Sequence, residues 1–437
     1  MPSEEPWDIP QEVVTTPQPL IGFLGLEPEN ASQPGHQKVW EMFTSNRGLD
    51  RHALNFSLLS LDSLEFPVAK PPRTSYEWFL PRGILKRNWI KKHLELLPSV
   101  VVLFFTNPSI TSVSSTVGKV KMALTGRQTK LAVVILQDVV EQDTVTSICT
   151  ECSISSRAVI SLNPLSSQAM SSVVQLESTL QELASNYYHG QIKTIKSHRD
   201  MLNKATHLQL LVRHSFKVGF MSELKGDLHS AYKSYTASYQ LLLESRLTEH
   251  NTSEIRAVAG IINYKICRLA FRLNLPRDAI TQFRKHMDGW RKCPSPPQLS
   301  WEQAAWQAGQ AEGFGGQFVE ACKGGQPALQ TQHPGIYFHL AAEYSISRRK
   351  LADSLCSMVT TYPCPDPLQG MATMEYYGQR PWRVGKQEPS DLAREKEGIE
   401  AMQFRERTWA KHSQDYFRLP QYGYGTIQVI QLPSYDG

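Results

Sequence analysis

The sequence predicts an α/β N-terminal domain with a mostly parallel sheet, an all-α solenoid of helical hairpins behind it, and an irregular C-terminal tail. Short β-branched and aliphatic runs alternate with amphipathic stretches as far as about residue 162, which is typical of a parallel sheet with crossover helices. Past about residue 166 the hydrophobic period changes from two to 3.6. We therefore predict an α/β domain over residues 19–165 and an α-solenoid over residues 166–360.

Five runs are the predicted strands of the sheet. Two of them, SVVVLFFT and KLAVVILQ, are apolar on both faces, so we expect them at the centre of the sheet with helices on each side. The stretch SVSSTVGKVKMALT between these two runs can serve as their crossover. In chain order the five runs are LIGFLG, ALNFSLLSL, SVVVLFFT, KLAVVILQ and AVISL.

A basic segment, residues 82–93, precedes the third predicted strand. The overlapping sequence GILKRNWIKKHLELLP (83–98) predicts a helix that ends at Pro98, because proline cannot continue an α-helix. One interpretation is a surface that contacts anionic membranes or a partner protein. The interpretation we favour is a solvated helix face whose apolar side packs on the sheet. The residues concerned are Arg82, Lys86, Arg87, Trp89, Lys91 and Lys92.

Short turns divide the helical half into hairpins, because helices joined by only a few residues pack antiparallel. We predict such turns at Lys225-Gly226-Asp227, Asn274-Leu275-Pro276 and Gly315-Gly316. The sequence CPSPP (293–297) interrupts the helices and is expected to be a stiff extended insert.

One hairpin has a pattern typical of tetratricopeptide repeats, with a small residue, a Gly-Asp turn, and an alanine followed four residues later by an aromatic, and a second hairpin repeats the alanine and the aromatic. An alanine lets two helix backbones approach, and the aromatic residue lies on the same helix face. The two alanines are 48 residues apart, against a usual period of about 34. We predict a structural core at these positions, which are Gly219, Gly226, Asp227, Ala231 and Tyr235 in the first copy and Ala279 and Phe283 in the second.

Both ends of the chain have weaker patterns. Residues 1–18 are acidic and broken by proline, and we expect them to be flexible. Residues 361–407 are rich in proline, glycine and arginine and are predicted to be an irregular connector with one helix, opened by a Ser390 cap. Residues 408–437 have no element longer than a short strand, and we expect a poorly ordered tail.

Charge and apolar content exclude several classes of protein. Lys and Arg number 46 against 41 Asp and Glu, a net +5, which is too mild an excess to indicate a nucleic-acid binder. The longest apolar runs, VVVLFF and LAVVIL, are far below the roughly 18 residues that cross a bilayer. The start MPSEEPWDIPQEVV is unlike a signal peptide, so we expect a cytoplasmic protein whose seven scattered cysteines are reduced.

Motifs that carry chemistry are absent from the sequence. It contains no G-x-x-x-x-G-K-[ST], G-x-G-x-x-G, G-x-S-x-G or H-E-x-x-H pattern, which removes the commonest nucleotide, hydrolase and zinc-protease signatures. Cys149 and Cys152 form a C-x-x-C without redox context, and we interpret them as buried thiols. His207 and His214 are too far apart on a helix to share a metal. We therefore predict no catalytic residue, no cofactor and no metal.

Several blocks of the sequence resemble the N-terminal portion of the foie gras family, subunit 11 of the trafficking protein particle (TRAPP) complex. The likeness runs from about Trp7 to Arg407. Its blocks are TSYEW (74–78) followed by PRGILKRNWIKKHLELLP, IKSHRDMLNKATHLQLLVRHSFKVGFMSELKGD (195–227), AGIINYKICRLAF (259–271), DAITQFRKHMD (278–288), LQTQHPGIYFHLAAEY (329–344) and YGQRPWR (377–383).

The resemblance implies a component of TRAPP assemblies, which tether vesicles and activate Rab GTPases between the endoplasmic reticulum and the Golgi and in autophagy. Exchange chemistry there belongs to other subunits, so no catalytic residue is implied in this chain. We expect a non-catalytic scaffold that binds other TRAPP subunits, reaches Rab GTPases only through the complex, and lies at cis-Golgi and ER–Golgi intermediate membranes.

Two alternatives stay open at this point. The α/β domain would bind a nucleotide or another ligand, since such sheets bind ligands at the carboxyl ends of their strands. Alternatively, the basic segment 82–93 would make the protein a peripheral membrane-binding module.

Overall fold

Five parallel strands form the sheet of the N-terminal half, and they coincide with the five predicted runs. The computed structural model describes residues 8–30, 32–45, 47–48, 51–71, 73, 75–77, 79, 81–106, 108–291, 293, 299–325, 333–356, 374–380, 396–403 and 406. The strands are β1 (Leu20–Leu24), β2 (Asn55–Leu59), β3 (Val100–Phe105), β4 (Lys130–Ile135) and β5 (Val159–Ser161). Their order in the sheet is β2-β1-β3-β4-β5, and all neighbours are parallel. The predicted parallel sheet is confirmed.

Helices connect and cover these strands. The helices of this half are α1 (Gln11–Val14), α2 (Pro34–Thr44), α3 (Arg87–Lys91), α4 (Ile110–Ala123) and α5 (Gln142–Cys152). A π-helical turn, Lys92–Leu96, extends α3, and a 3-10 turn, Ser156–Ala158, leads into β5. The helix predicted to end at Pro98 therefore ends at Leu96 and begins only at Arg87, as two helical turns of different kinds.

The core of the sheet is apolar and dense. Every residue of β1 is buried, and so are the first five of β3, as expected for central strands covered on both faces. Phe23 on β1 contacts Phe43, Phe56 and Phe104, with ring centroids 5.0 Å away in each case. These rings close the space between the sheet and α2.

Seven helices follow the sheet between residues 169 and 356 of the described part of the chain. They are α6 (Ala169–Asp200), α7 (Leu208–Lys225), α8 (Leu228–Leu243), α9 (Thr252–Arg272), α10 (Pro276–Gly289), α11 (Ser300–Lys323) and α12 (Pro334–Cys356). They pack mainly on their neighbours in the chain, α7 on α8, α9 on α10 and α11 on α12, as stacked hairpins do. This agrees with the predicted helical-hairpin solenoid.

Two of the three predicted turns lie between helices. Gly226 has φ +87°, a left-handed conformation that ends α7, and the Asp227 carboxylate accepts the Ser230 N–H at 3.0 Å to begin α8. Asn274, at φ +59°, lies in the turn between α9 and α10. Pro276 is the first residue of α10, where the backbone N–H has no partner within the helix and its absence costs nothing. Both turns are formed by residues that the sequence singles out.

The turn predicted at Gly315-Gly316 is wrong. Both glycines lie inside α11, which continues to Lys323. A Cβ at Gly315 would come 3.1 Å from the Phe338 ring of α12, so the glycine serves a close helix crossing. The chain instead leaves α11 through Gly324 and Gly325, and Gly325 has φ +87°.

Helix α6 belongs to both halves of the molecule. It packs across β3 and β4 and also against α7, and buried residues of the sheet and of the array form one continuous hydrophobic cluster. Near its start, Glu177 is fully buried and accepts two hydrogen bonds of 2.6 Å from Arg51 in the sheet half. The change in sequence period near residue 166 thus marks no gap between two cores.

The predictions for the two ends fall partly outside the described residues. Within residues 1–18, expected to be flexible, residues 8–18 are packed: Val13 is buried, and Arg268 of α9 donates to the Val14 carbonyl. Residues 396–403 are helical, in the segment predicted to hold one helix, whereas Ser390 lies outside the described residues. The insert 294–297 and the tail 408–437 also lie outside them. No helix in the described ranges is long and apolar enough to cross a bilayer.

Candidate interaction site at the junction of sheet and helices

The basic segment lies between the sheet and the first helices of the array. Of its six singled-out residues, Arg82 and Lys91 are exposed, and the other four are partly buried. The Trp89 ring packs edge-on against His93 and against Phe220 of α7, with centroids 4.7 and 5.4 Å away. The segment therefore packs on α7 of the array through Trp89, and its π-helical turn Lys92–Leu96 also contacts β1 of the sheet.

A short strap from much later in the chain, residues 374–380, pairs with this segment. The Arg87 N–H donates to the Glu375 carbonyl and the Tyr377 N–H to the Leu85 carbonyl, both at 3.0 Å. Lys86 and Tyr376 form an antiparallel bridge. The Lys86 ammonium also forms an ion pair with the Glu375 carboxylate.

Helices α7 and α9 hold the start of the segment from the other side. Arg213 of α7 donates from Nε to the Ile84 carbonyl at 2.7 Å, and Glu254 of α9 accepts the Ile84 N–H at 2.6 Å. A Cβ at Gly83 would lie 2.5 Å from the Tyr376 ring, so glycine is required where strap and segment cross.

A buried ion-pair triad anchors the end of the strap. Arg380 donates to both carboxylate oxygens of Glu302 on α11, at 2.5 and 2.6 Å, and Arg256 of α9 lies 3.1 Å from the same carboxylate. All three side chains are almost completely buried. The two arginines hold the pKa of Glu302 below its usual value, even though burial acts in the opposite direction.

Positive charge accumulates at the junction. Burial lowers the pKa of Lys217 to about 7, and the neighbouring Arg213 and Lys92 lower it further. Lys92 itself has a pKa lowered to about 8 by burial and by Arg127. Burial raises the pKa of Glu254 to about 7 against the opposing effects of the Ile84 N–H and Arg213. The cations of this face therefore outnumber the carboxylates that face them.

Five of the seven residues of the predicted repeat lie in the cores of two hairpins, whereas Gly226 is exposed and Asp227 is partly buried at the turn. A Cβ at Gly219 would come 2.8 Å from the Tyr235 ring, so α7 and α8 approach closely there. Ala231 and Tyr235 are fully buried, and the Tyr235 hydroxyl donates to Glu223 at 3.0 Å. In the other hairpin, Ala279 is buried and Phe283 stacks on Phe314 with centroids 4.3 Å apart.

At the carboxyl ends of the central strands, where a ligand of the α/β domain was considered, neighbouring segments contact each other closely. Gly25 follows β1 at φ +87°, and a Cβ there would lie 2.5 Å from the Phe104 carbonyl oxygen. His36 Nε2 lies 3.2 Å from the Thr106 hydroxyl across the same edge. The strand order places the expected ligand crevice between β1 and β3, at this position.

The cysteine and histidine candidates lie in packed parts of the structure. Cys152 is buried and Cys149 partly exposed on α5. His207 Nε2 lies 2.8 Å from the Tyr76 carbonyl, and burial lowers the pKa of His214 to about 3. Within the ranges that the structure describes, no three His, Cys, Asp or Glu side chains are grouped to hold a metal ion.

The junction itself was not predicted from the sequence as a site. Arg213, Lys217, Glu254 and the strap lie far from the basic segment along the chain, and hydrophobic periodicity carries no signal for such pairs. The available signal was the family resemblance: Arg213 and Lys217 lie in one of its blocks and Tyr377–Arg380 in another.

Models of known protein families match the two regions of the chain that contain the basic segment and the strap. The model described as "Trafficking protein particle complex subunit 11 N-terminal domain" matches residues 72–170, and "Foie gras liver health family 1" matches residues 251–417. Trafficking protein particle complex subunit 11 of Bos taurus is 41% identical over 424 residues, and the proteins of that name from Gallus gallus and Homo sapiens are 40% identical over 423. Each alignment covers 92% of this chain.

The chain belongs to the foie gras family. It spans only 37% of the length of each of these relatives. The resemblance found in the sequence is confirmed. In this foie gras chain the two matched regions meet at the junction, because the first contains the basic segment and the second contains Glu254, Glu302 and the strap.

Proposed function

We propose that the chain is a non-catalytic scaffold or adaptor subunit of a vesicle-tethering complex of the TRAPP type. The partners of the chain are other TRAPP subunits, and the chain reaches Rab GTPases only through the complex. It acts in endoplasmic reticulum to Golgi transport and in autophagy, as a cytoplasmic protein peripheral to Golgi membranes. The observation that carries the proposal is the 40–41% identity over 92% of the chain to proteins named as subunit 11 of the trafficking particle.

The junction supports a role as a scaffold. A scaffold must keep its binding surfaces in a fixed relation. Here the strap joins the basic segment before β3 to α9 and α11 through hydrogen bonds and the Glu302 triad, and Arg213 joins α7 to the same segment. The shared cluster of buried apolar residues resists bending between the two halves. Surfaces on the sheet and on the array therefore face partners in one orientation.

The perturbed pKa values at the junction also have a structural explanation. Groups with shifted pKa values cluster at catalytic sites, so Lys217 and Glu254 require consideration as an acid–base pair. Glu254 accepts the Ile84 N–H at 2.6 Å, and the Lys217 ammonium lies 5.0 Å from the Trp89 ring centroid. Both groups are used in packing the basic segment, which favours the scaffold over an enzyme.

We further propose that the hairpins α7–α8 and α9–α10 are two copies of a repeat like that of tetratricopeptide proteins. The Gly219–Tyr235 contact, the Gly226-Asp227 turn and the buried Ala279–Phe283 pair support this assignment. Stacked repeats expose long helix faces, which suits binding of several protein partners.

Affinity purification of the tagged chain from cells, followed by mass spectrometry, tests the scaffold proposal. We expect TRAPP subunits to be recovered with the chain and to be reduced by Glu302→Ala, which breaks the triad. The matched control is Glu320→Ala, at an exposed position of the same helix as Glu302, and it should leave recovery unchanged. Absence of every TRAPP subunit from the purified unsubstituted chain would contradict the proposal.

A further inference from the structure

A cavity of about 570 Å³ opens beside the amino end of β4, on the opposite edge of the sheet from the carboxyl ends of the strands. Its charged lining residues are Lys121, Arg127 and Lys130, all cations. Ser153 and Ser155 add hydroxyl groups, and leucine and isoleucine side chains form an apolar part of the wall. The volume lies within the range of about 300–1,000 Å³ that is usual for small-molecule sites.

The net potential in this cavity is positive after nearby helix ends are taken into account. Helices α4 and α5 both end here, and each helix C-terminus is equivalent to roughly half a negative charge. Lys121 partly neutralises the C-terminus of α5, because its ammonium donates to the Cys152 carbonyl at 2.6 Å. Three cations against two such helix ends leave an excess of roughly two positive charges.

Arg127 is only partly satisfied by the protein. Its Nη2 donates to the Pro67 and Val68 carbonyls, whereas its buried Nε has no hydrogen-bond partner among the described residues. Buried donors are normally paired, so this N–H indicates a missing acceptor. Lys92, whose pKa Arg127 helps to lower, extends the positive field toward the junction.

We propose that the cavity binds an organic phosphate, a compact molecule with two or more phosphate groups. The phosphates face Lys121, Arg127 and Lys130, and the body of the ligand lies on the apolar part of the wall. Such a ligand comes either as a free metabolite or as the headgroup of a phosphorylated lipid. This activity goes beyond the scaffold role and does not depend on it.

Calorimetric titration of the full chain with ADP and with inositol trisphosphate tests the soluble source. Flotation with phosphatidylcholine vesicles, with and without a bisphosphorylated phosphatidylinositol, tests the lipid source. We expect saturable binding with one site per chain for at least one probe. Lys130→Gln and Lys121→Gln should each weaken this binding by about tenfold or more, because each removes one charge-assisted contact.

Lys119→Gln is the matched control, since Lys119 is exposed on the same helix as Lys121 and carries the same charge. It should change the affinity by less than about twofold. Lys121→Gln also removes the hydrogen bond to the Cys152 carbonyl. If Lys121→Gln does not fold for this reason, the affinity of Lys130→Gln decides the test. The proposal is overturned if no probe binds saturably, or if Lys119→Gln weakens binding as much as Lys130→Gln.

Discussion

The sheet and the helical array are stabilised by different kinds of core. The buried residues of β1, β3 and β4 are apolar, and they pack within a cluster of other apolar residues. The array instead buries charges: Lys265 lies 3.3 Å from Glu223, and Glu302 lies between Arg256 and Arg380. The ion pairs of the array are costly to leave unpaired, whereas the buried residues of these three strands carry no charge.

This difference shows how each half fixes its own arrangement. In a parallel sheet the alternation of side chains sets the register, since a slip of one residue turns every side chain to the other face. Stacked helices have no such constraint and slide more easily. We infer that the buried ion pairs of the array select one arrangement of the hairpins, because a shifted helix would leave a charge unpaired.

Glu302→Ala should give the largest loss of stability, because it leaves Arg256 and Arg380 buried without their carboxylate. The expected cost is about 3–5 kcal/mol, measured by urea unfolding. Ile135→Val in β4 is the comparison in the sheet, with an expected cost of about 0.5–1.5 kcal/mol. Equal costs for the two variants would remove the contrast between the cores.

Ala231→Trp and Ala279→Trp should each destabilise the array by about 1–3 kcal/mol or more, because a large side chain does not fit a close helix crossing. Both alanines are fully buried. The measurement is the melting temperature, and Ala237→Trp, at an exposed position of α8, is the control. Unchanged melting temperatures for both buried variants would count against the repeat.

Acid should weaken the array through its buried histidines. The pKa of His214 is lowered from 6.5 to about 3 by burial and by the nearby cations Lys217 and Arg213. The unfolded chain therefore binds a proton that the folded chain does not, and this stability, complete above about pH 6.5, is lost as pH falls toward 3.

The slope from this one histidine reaches about 1.4 kcal/mol per pH unit in that window. Unfolding free energy measured against pH should become less steep in His214→Gln. The exposed His229→Gln should keep the slope of the unsubstituted protein. A slope that is the same in all three proteins would contradict the assignment to His214.

Lys91→Ala should have the smallest effect, within about 0.5 kcal/mol, because exposed ion pairs contribute little. Lys91 is exposed, and its ammonium lies 3.7 Å from the Glu95 carboxylate. Urea unfolding measures this change. A cost above about 1 kcal/mol would mean that the exposed part of the basic segment also holds the junction together.

The features predicted well from the sequence are those with a local physical cause. The strands follow from apolar runs, and the turn at Gly226 follows from the left-handed conformation that glycine adopts easily. The turn predicted at Gly315 is wrong, because a glycine suits a close helix crossing as well as it suits a turn. The same residue type therefore has two structural uses that one sequence does not distinguish.

The junction could not be predicted in this way, because its partners are remote along the chain. Arg380 and Glu302 are 78 residues apart, and Arg87 and Tyr377 are 290 apart. Periodicity describes one helix or strand at a time and contains no term for such pairs. The cavity beside β4 is a similar case, since α4, β4, α6 and the loops that follow α4 and α5 each supply only a few of its residues.

The separation along the chain between the strap and the basic segment also determines when the junction can form during synthesis. Ribosomes add about 5–20 residues per second, so the 290 residues between Arg87 and Tyr377 take about 15–60 s to make. Once Arg213 has been added, the nascent chain has all its sheet residues, but the strap that covers Gly83 does not yet exist. The junction therefore stays incomplete until the strap has been made.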